Sequence, residues 1–449
     1  MRLALFSPTP PVRSGIADYT RDLVAALTGA AEIDVFVAST DEVDTAHETG
    51  APARYATAHD FPWRHHRAPY DLTIFQMGNS WCHDFMWPYL FRYPGLVVLH
   101  DGHLHHARAW SLLRRGRSDD YRAELAFNHP ELPREAAEAA LAGLGGTLYY
   151  FWPMLRSVVT SARAVAVHSE ALADEIRGSF PDADVHVIRM GVPAVAPRSE
   201  QVAAVRERHG LAPTTLVLAA FGGVTPEKRL RPLFDAVAIA RRYQPDLRLL
   251  LVGPAHPHYD VMSEAQSAGV ADLVTVTGFV ADAELPAYLA ATDIVSCLRF
   301  PSAGETSASW LRALAAGRPT LVSDLPQQAA LPTLDPRSWT VAANLRAGSG
   351  PIAVSIDLLD EVHSLTLALK HLSTDPERRR SLGASARRYW AANHTVDLMA
   401  SDYRDVIARA SIRPAPRVSL PSHLRPDGMK HLRELLSPFA DVAVPLERP

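Results

Sequence analysis

The segment Thr215-Leu-Val-Leu-Ala-Ala-Phe-Gly-Gly223-Val-Thr-Pro-Glu-Lys-Arg-Leu230 decides the fold class. Residues 216–221 form an unbroken apolar run, two glycines follow it, and helical sequence begins near Leu230. An apolar run without alternation is typical of a strand that is buried on both faces of a parallel sheet. A strand, a glycine turn and a helix in this order predict a βα unit.

The same pattern recurs along the chain. Ten further apolar runs alternate with helical sequence: Arg2–Ser7, Ile33–Ala38, Asp71–Gly78, Gly95–Asp101, Ala164–Ser169, Val185–Gly191, Leu247–Gly253, Val274–Gly278, Asp293–Leu298 and Thr320–Asp324. Two successive βα series predict an α/β protein with two doubly wound, Rossmann-like parallel-sheet domains that face a cleft. After Asp324 the sequence indicates mainly helices.

A proline-containing connection, Val192–Arg198, has no amphipathic period and predicts a domain boundary near residue 195. We expect the helical insertion in the first domain to form part of one wall of the cleft, and the proline-rich end of the chain to be loosely attached. The predicted segments are a first domain at 1–195 with its insertion at about 108–162, a second domain at 196–385, a closing helix at 386–412 and a tail at 413–449.

Composition narrows the function classes. The 449 residues include 45 Lys and Arg against 49 Asp and Glu, so no basic excess predicts a nucleic-acid partner, and small ligands are favoured. The two cysteines, Cys82 and Cys297, exclude a disulfide scaffold and a cysteine zinc site, which favours a cytoplasmic protein. The uncharged run between Glu138 and Arg156 approaches membrane-spanning length, but its glycines and Pro153 argue against a transmembrane helix.

Several familiar motifs are missing. Neither half has Gly-x-Gly-x-x-Gly after its first strand or a Gly-x-x-x-x-Gly-Lys-Ser/Thr loop, which weakens dehydrogenase and kinase interpretations. His-Glu-x-x-His is absent as well, and no metal or other cofactor is expected. His103, His105 and His106 could form a metal cluster, but they lack further carboxylate ligands, and solvated loop histidines explain them better than they explain His100.

In the second domain, candidate site residues follow two strands. Lys228 is one of only three lysines and comes after the Gly222-Gly223 turn, where a cation can neutralise a diphosphate. Arg299, after another strand, is suited to an anion or a carboxylate. Nearby, Glu305 can accept hydrogen bonds from ligand hydroxyls, and either Thr306 or Ser307 can cap the next helix.

In the first domain, Gly15 ends a proline-rich loop just before a helix, and it would let a ligand approach the backbone closely. His100 and Asp101 end a strand, where an imidazole beside a carboxylate can orient a proton or a hydroxyl. A cation and a helix N-terminus for a diphosphate, a carboxylate for hydroxyls and a His-Asp pair opposite them together indicate sugar transfer from a nucleotide diphosphate.

The chain resembles the retaining glycosyltransferases of family 4, which have the GT-B fold. The resemblance covers residues 1 to about 410 and lies in Ser14-Gly15-Ile16-Ala17-Asp18-Tyr19, Gly78-Asn79-Ser80, Leu99-His100-Asp101, Val167-His168-Ser169, Met190-Gly191-Val192 and Pro226-Glu227-Lys228-Arg229. It implies metal-independent transfer from a nucleotide-sugar donor to a saccharide or lipid-linked acceptor, with possible peripheral membrane contact. It also implies that Lys228 contacts the diphosphate, that the Gly15 loop lies near it, and that His100 lies beside the transferred sugar.

Two family positions differ here. The family arginine after the first glycine turn of the second domain is replaced by Gly223 or Val224, and Arg229 or Arg299 could supply the missing cation. Arg312 stands where the family has its second glutamate, which usually holds the ribose, and Glu305 is offset by one residue. These differences keep two alternatives open: a catalytically degenerate GT-B binding or scaffold protein, and a sugar-nucleotide epimerase.

Overall fold

Apolar runs in the first part of the chain pair in parallel to form a seven-stranded sheet. The structure is a computed structural model that describes residues 1–341 and 350–425. The strands lie in the order β3-β2-β1-β4-β5-β6-β7. Their bounds are β1 Arg2–Phe6, β2 Glu32–Val37, β3 Arg54–Thr57, β4 Leu72–Met77, β5 Leu96–Leu99, β6 Ala164–Val167 and β7 Val185–Val187.

A second sheet, of eight strands, follows in the order β10-β9-β8-β11-β12-β15-β13-β14. All its neighbours pair in parallel except β13 and β14. The bounds are β8 Leu216–Phe221, β9 Leu247–Val252, β10 Val274–Val276, β11 Ile294–Cys297, β12 Thr320–Ser323, β13 Thr333–Asp335, β14 Thr340–Val341 and β15 Ala353–Ile356. The prediction of two parallel-sheet α/β domains is confirmed.

Helices cover the faces of both sheets. In the first domain they are α1 Gly15–Leu27, α2 Thr40–Glu48, α3 Phe61–Arg67, α4 Trp87–Arg92, α5 His105–Leu113, α6 Ser118–Asn128, α7 Glu135–Ala139, α8 Gly145–Leu148, α9 Arg156–Ser161 and α10 Glu170–Ser179. The others are α11 Ser199–Arg208, α12 Leu230–Ala240, α13 Val261–Ser267, α14 Leu285–Ala291, α15 Ala308–Ala315, α16 Glu361–Thr374, α17 Pro376–Asn393 and α18 Val396–Ile412.

All eleven predicted apolar runs contain a strand, but four strands were not predicted. The expectation that the chain becomes mainly helical after Asp324 is wrong, because β13, β14 and β15 extend the second sheet there. These strands have only two to four residues, too few to show a period. The fourth, β3, begins with an exposed arginine that pairs with Asp34 instead of joining the apolar core.

In each sheet the strand order reverses beside the domain's first strand, between β1 and β4 and between β8 and β11. Ligands of open α/β sheets bind at the carboxyl ends of strands at such a reversal. The two reversals bring the loops after β1, β5, β8 and β11 to the cleft between the domains. Across that cleft, the Gly102 amide donates to the carbonyl of Ala303 at 2.6 Å, so the domains touch.

The chain returns to the first domain at its last long helix. α17 packs on the second domain, where Gly383 lies close to Gly317, and α18 packs on α1 and β4. The predicted start of the closing helix at 386 falls inside α17, and the break between the two helices comes at His394–Thr395. Asp402 on α18 pairs with Arg189 through Nη2–Oδ1 at 2.7 Å and Nε–Oδ2 at 2.8 Å.

The expected loose tail is wrong for residues 413–425. Leu420 is buried in the first domain's apolar core, and His423 lies between Asp120 and Glu124. Residues 426–449 of the predicted tail lie outside the described residues.

A substitution at Gly191 tests how closely this residue packs against the start of α18. A Cβ at this position would lie 2.6 Å from the carbonyl oxygen of Thr395 and 2.9 Å from Met399 Cβ. We expect Gly191→Ala to lower the free energy of unfolding by about 1–3 kcal/mol, the usual cost of overpacking, in urea denaturation. Gly146→Ala is the matched control, since nothing lies within 4 Å of its Cβ. Equal stability of the two variants would contradict this packing.

Candidate active site

Lys228 lies at the carboxyl end of β8, in a cavity of about 390 Å³. It ends a single 3₁₀ turn, Pro226–Lys228, and α12 begins two residues later at Leu230. Its Nζ donates to the carbonyl of Phe221 at 2.5 Å. Burial, assisted by the charge of Arg299, lowers the pKa of Lys228 to about 8. An anionic partner would therefore stabilise its charged form.

The glycine turn allows this arrangement. Gly222 has φ of +91°, which favours glycine, and a Cβ there would lie 3.5 Å from Lys228 Nζ. Gly222 and Gly223 both line a second cavity, which shares Phe221 with the Lys228 cavity. The β8 loop thus keeps space open around the cation.

Glu305 and Arg299 line the same cavity as Lys228 and pair with each other, with Nε–Oε1 at 2.7 Å. Glu305 Oε2 also accepts from Ser302 Oγ at 2.9 Å and from the Ala303 amide at 2.8 Å. The carboxylate is therefore fixed by its own loop. Arg299 keeps an exposed fraction of 42%, so its guanidinium can also reach a ligand.

The helix that follows Glu305 has a capped N-terminus. Ser307 Oγ accepts from the Trp310 amide at 3.2 Å, and α15 begins at Ala308. Both candidate capping residues, Thr306 and Ser307, line the Lys228 cavity, but only Ser307 caps the helix. The helix N-terminus points its partial positive charge toward the same space.

Asp101 of the first domain lies close enough to Glu305 and Arg299 to feel their charges, but it is absent from the described residues that line the two cavities. Its Oδ2 accepts from the Asn79 amide at 2.7 Å. Burial and the negative charge of Glu305 raise the pKa of Asp101 to about 7. The carboxyl group can therefore change its protonation state near neutral pH, which suits a group that holds a hydroxyl or transfers a proton.

His100 is part of a buried hydrogen-bond chain. Burial lowers the pKa of His100 well below its ordinary value and that of His168 to about 4, so both rings are neutral. His168 Nδ1 lies 2.8 Å from the carbonyl oxygen of Ile188 and must donate to it. His168 Nε2 then accepts from His100 Nδ1, which is 3.2 Å away. The single proton of His100 is thus on Nδ1.

The other end of the chain reaches α18. His100 Nε2 lies 2.8 Å from Gln76 Oε1, and a neutral His100 requires the Gln76 amide to turn over so that its NH₂ faces the ring. The amide oxygen then accepts from Tyr403 OH, at 3.0 Å, which in turn accepts from Tyr19 OH at 2.9 Å. Both nitrogens of His100 are bound by protein groups, so the ring is positioned rather than free to take up a proton.

The neighbouring histidines do not fit the interpretation as solvated loop residues. His105 is fully buried at the start of α5, with Nε2 2.8 Å from Tyr121 OH. His106 is half-buried and lies 3.2 Å from Asn79 Nδ2. Among the described residues, no group of three or more His, Cys, Asp or Glu side chains is arranged to hold a metal ion. The same residues contain no helix that is long and apolar enough to cross a membrane.

Gly15 lines a second cavity, of about 560 Å³, which shares Phe221 and Ser309 with the Lys228 cavity. Gly15 begins α1, and Ser14 caps that helix by accepting from the Ile16 amide at 3.2 Å. Gly223 lines this cavity from the opposite domain. The two cavities form adjoining parts of the cleft.

Sequence reasoning missed Asp282, which lines the second cavity and contacts both domains. Its Oδ2 lies 2.7 Å from Arg21 Nη2 on α1, and its Oδ1 lies 3.3 Å from Arg312 Nη1. Asp282 therefore pairs with Arg312, the residue that the resemblance to family 4 matches with that family's second glutamate. No sequence signal pairs a residue in the loop before α14 with partners on α1 and α15.

Arg229 is placed elsewhere. The backbone of Arg229 has a φ of +55°. The Nε of Arg229 lies 2.9 Å and 3.1 Å from the two carboxylate oxygens of Glu361 on α16. It is absent from the described residues that line the two cavities. Of the two arginines proposed to supply the missing cation, the structure brings only Arg299 beside Lys228.

With this geometry, comparisons with solved structures define the class of protein: the chain has the GT-B fold. The structure of HepE from Anabaena in complex with UDP and glucose matches 91% of this chain and 100% of that chain, with a TM-score of 0.58 and 14% identity. Within the second domain, residues 213–335 match the model of the family described as glycosyl transferases group 1.

Two curated proteins are similar over about half of the chain. A GDP-mannose-dependent α-(1-6)-phosphatidylinositol monomannoside mannosyltransferase of Mycolicibacterium smegmatis is 28% identical over 249 residues, 54% of this chain and 60% of that protein. A D-inositol 3-phosphate glycosyltransferase of Segniliparus rotundus is 27% identical over 250 residues, 51% of this chain and 49% of that protein. These findings support a GT-B glycosyltransferase.

The raised pKa of Asp101 predicts a pH dependence of stability. The folded state keeps this proton up to about pH 7, whereas an unfolded Asp ionises near pH 4, so the folded state binds more protons between these values. Asp101 therefore makes the free energy of unfolding fall as pH rises from about 4 to 7. In urea denaturation, we expect Asp101→Asn to gain roughly 1–4 kcal/mol relative to wild type across that range.

Asp119→Asn is the control for this measurement, because Asp119 is fully exposed and pairs with Arg122 on the surface. It should follow the wild-type pH dependence. If Asp101→Asn followed it too, Asp101 would ionise normally in the folded protein.

Proposed function

We propose that the protein is a retaining glycosyltransferase, which moves a sugar from a nucleotide-diphosphate donor to a hydroxyl of a saccharide or lipid-linked acceptor, in glycan or glycolipid biosynthesis. One observation carries the proposal. Lys228, a half-buried lysine with a lowered pKa and a carbonyl as its hydrogen-bond partner, lies beside the glycine turn after β8 and lines the same cavity as the capped N-terminus of α15. A diphosphate would supply the negative charge to pair with the Lys228 ammonium group and the helix N-terminus.

The donor would lie along the two adjoining cavities, which share Phe221 and Ser309. Phe279 and the Gly15 loop would border the nucleoside, and Arg13 already lies 4.3 Å over the Phe279 ring. Lys228 would contact the diphosphate at the junction. The HepE complex with UDP and glucose supports a nucleotide-sugar donor for this fold.

The sugar would then lie between Glu305 and Asp101, one from each domain. Glu305 would accept hydrogen bonds from its hydroxyls, in exchange with the Ser302 and Ala303 donors that now hold the carboxylate. As the bond to the sugar breaks, negative charge grows on the leaving diphosphate. Lys228 and the α15 N-terminus would stabilise that charge, a device of electrostatic preorganisation that uses this chain's own residues and no metal.

Lys228→Ala should lower kcat/KM by roughly ten- to a hundredfold, the effect of losing one charged hydrogen bond. The assay is release of nucleoside diphosphate from UDP-, GDP- and ADP-sugars, with and without simple sugar acceptors. Lys370→Ala is the matched control, since Lys370 is exposed on α16. Unchanged turnover in Lys228→Ala would refute the role of Lys228.

The same assay separates the alternatives. Epimerised nucleotide sugar without acceptor would identify an epimerase. Saturable nucleotide binding without release from any donor, whatever the acceptor, would favour a degenerate binding protein.

The pH dependence of donor binding gives a second test of Lys228. Its cationic form is lost as pH rises through about 8, so donor affinity should fall between about pH 7 and 9. Lys228→Arg keeps its charge throughout this range and should bind donor with a flat profile. Titration calorimetry with the donor found above would measure both, and parallel profiles would show that another group titrates.

A further inference from the structure

A third cavity, of about 600 Å³, lies in the first domain at the carboxyl ends of β2 and β3. Ala38 and Ala58, the residues directly after those strands, line it. It shares no described lining residue with the two cavities assigned to the donor. Its size and its place at the carboxyl edge of a parallel sheet are those of a ligand site.

Positive charge dominates this cavity. Five of its lining residues are arginines and one is a carboxylate, Asp84; the arginines are Arg92, Arg108, Arg115, Arg117 and Arg425. Asp84 accepts from Arg115 at 2.7 Å, from Arg108 at 3.3 Å and from Ser111 Oγ at 2.6 Å. Behind the lining, Glu124 pairs with Arg108, and Asp120 with Arg117 at 2.7 Å. Three carboxylates thus face five guanidinium groups.

The beginning of the tail forms part of the cavity wall through His423, Leu424 and Arg425. His423, with a side chain 3% exposed, has Nδ1 3.1 Å from Asp120 Oδ1 and Nε2 2.8 Å from Glu124 Oε1. This contact holds residues 420–425 against the first domain and brings Arg425 to the rim of the cavity.

We propose that this cavity binds a phosphate monoester and that the tail segment 420–425 completes the site. Guanidinium groups bind phosphate through paired hydrogen bonds, and a dianion matches the excess of at least two positive charges. The partly exposed rings of Phe85 and Tyr89 line the same cavity and offer an apolar surface to the organic part of the ligand. The proposal does not depend on the donor site.

Titration calorimetry with inorganic phosphate and with a hexose 1-phosphate tests this site directly. Inorganic phosphate should bind saturably at millimolar concentration or below, and hexose 1-phosphate should do so when the natural ligand is a soluble phosphate ester. The double variant Arg115→Gln/Arg117→Gln, whose changes are at exposed positions, should bind at least about tenfold more weakly, the effect of lost charged hydrogen bonds. Arg177→Gln, an exposed arginine of α10, should bind as the wild type does.

Two further variants locate the binding. Lys228→Ala should retain it, which separates this site from the diphosphate site. His423→Gln should weaken it, because the tail would lose its contact with Asp120 and Glu124. Equal affinity of the double variant and the wild type, or no saturable binding of any phosphate probe, would overturn the proposal.

Vesicle binding distinguishes a lipid headgroup from a soluble phosphate ester as the source of the phosphate. Phosphatidic acid in phosphatidylcholine vesicles presents a phosphate monoester as a lipid headgroup, and vesicles of phosphatidylcholine alone are the control. Binding to phosphatidic acid that the double variant loses, without binding of hexose 1-phosphate, would identify a lipid headgroup. The reverse would identify a soluble phosphate ester, and either result supports the site.

Discussion

The contact of α18 with the first domain determines how the two sheets face each other. The chain leaves the first domain at Met190–Val192 and returns to it at α18. The two crossings lie side by side. There the Val192 amide donates to the His394 carbonyl at 2.9 Å, and Asp402 binds Arg189. Tyr403 on the same helix is hydrogen-bonded to Gln76, and Gln76 is hydrogen-bonded to His100. The packing of α18 therefore also orders the ends of the strands at the cleft.

Charge compensation explains how the cleft accommodates its charged groups. Lys228 and Arg299 would repel each other, and so would Glu305 and Asp101. The structure separates these like charges by pairing Arg299 with Glu305 and by leaving Lys228 on a carbonyl and Asp101 on an amide. Burial, assisted by the like charges of Arg299 and Glu305, displaces the pKa values of Lys228 and Asp101 toward neutrality. An incoming anion needs to displace few strong contacts.

Much of the fold could be predicted from sequence, because buried parallel strands leave continuous apolar runs. β3, β14 and β15 could not, since strands of two to four residues gain their stability from neighbouring strands and not from their own composition. For the site, Lys228 and Glu305 were recognisable from loops after apolar runs. The Arg229 side chain was not, because its direction depends on Glu361, 132 residues further on.

The structure changes the interpretation of Arg312. In sequence it indicates a lost ligand carboxylate and hence a degenerate site. In the structure its charge is balanced by Asp282, which lies in the same cavity, is 36% exposed and also binds Arg21 of the other domain. The cavity therefore contains a carboxylate beside Arg312, carried by a loop and paired with a residue of the other domain. Arg312 alone thus does not argue for a protein that has lost its activity.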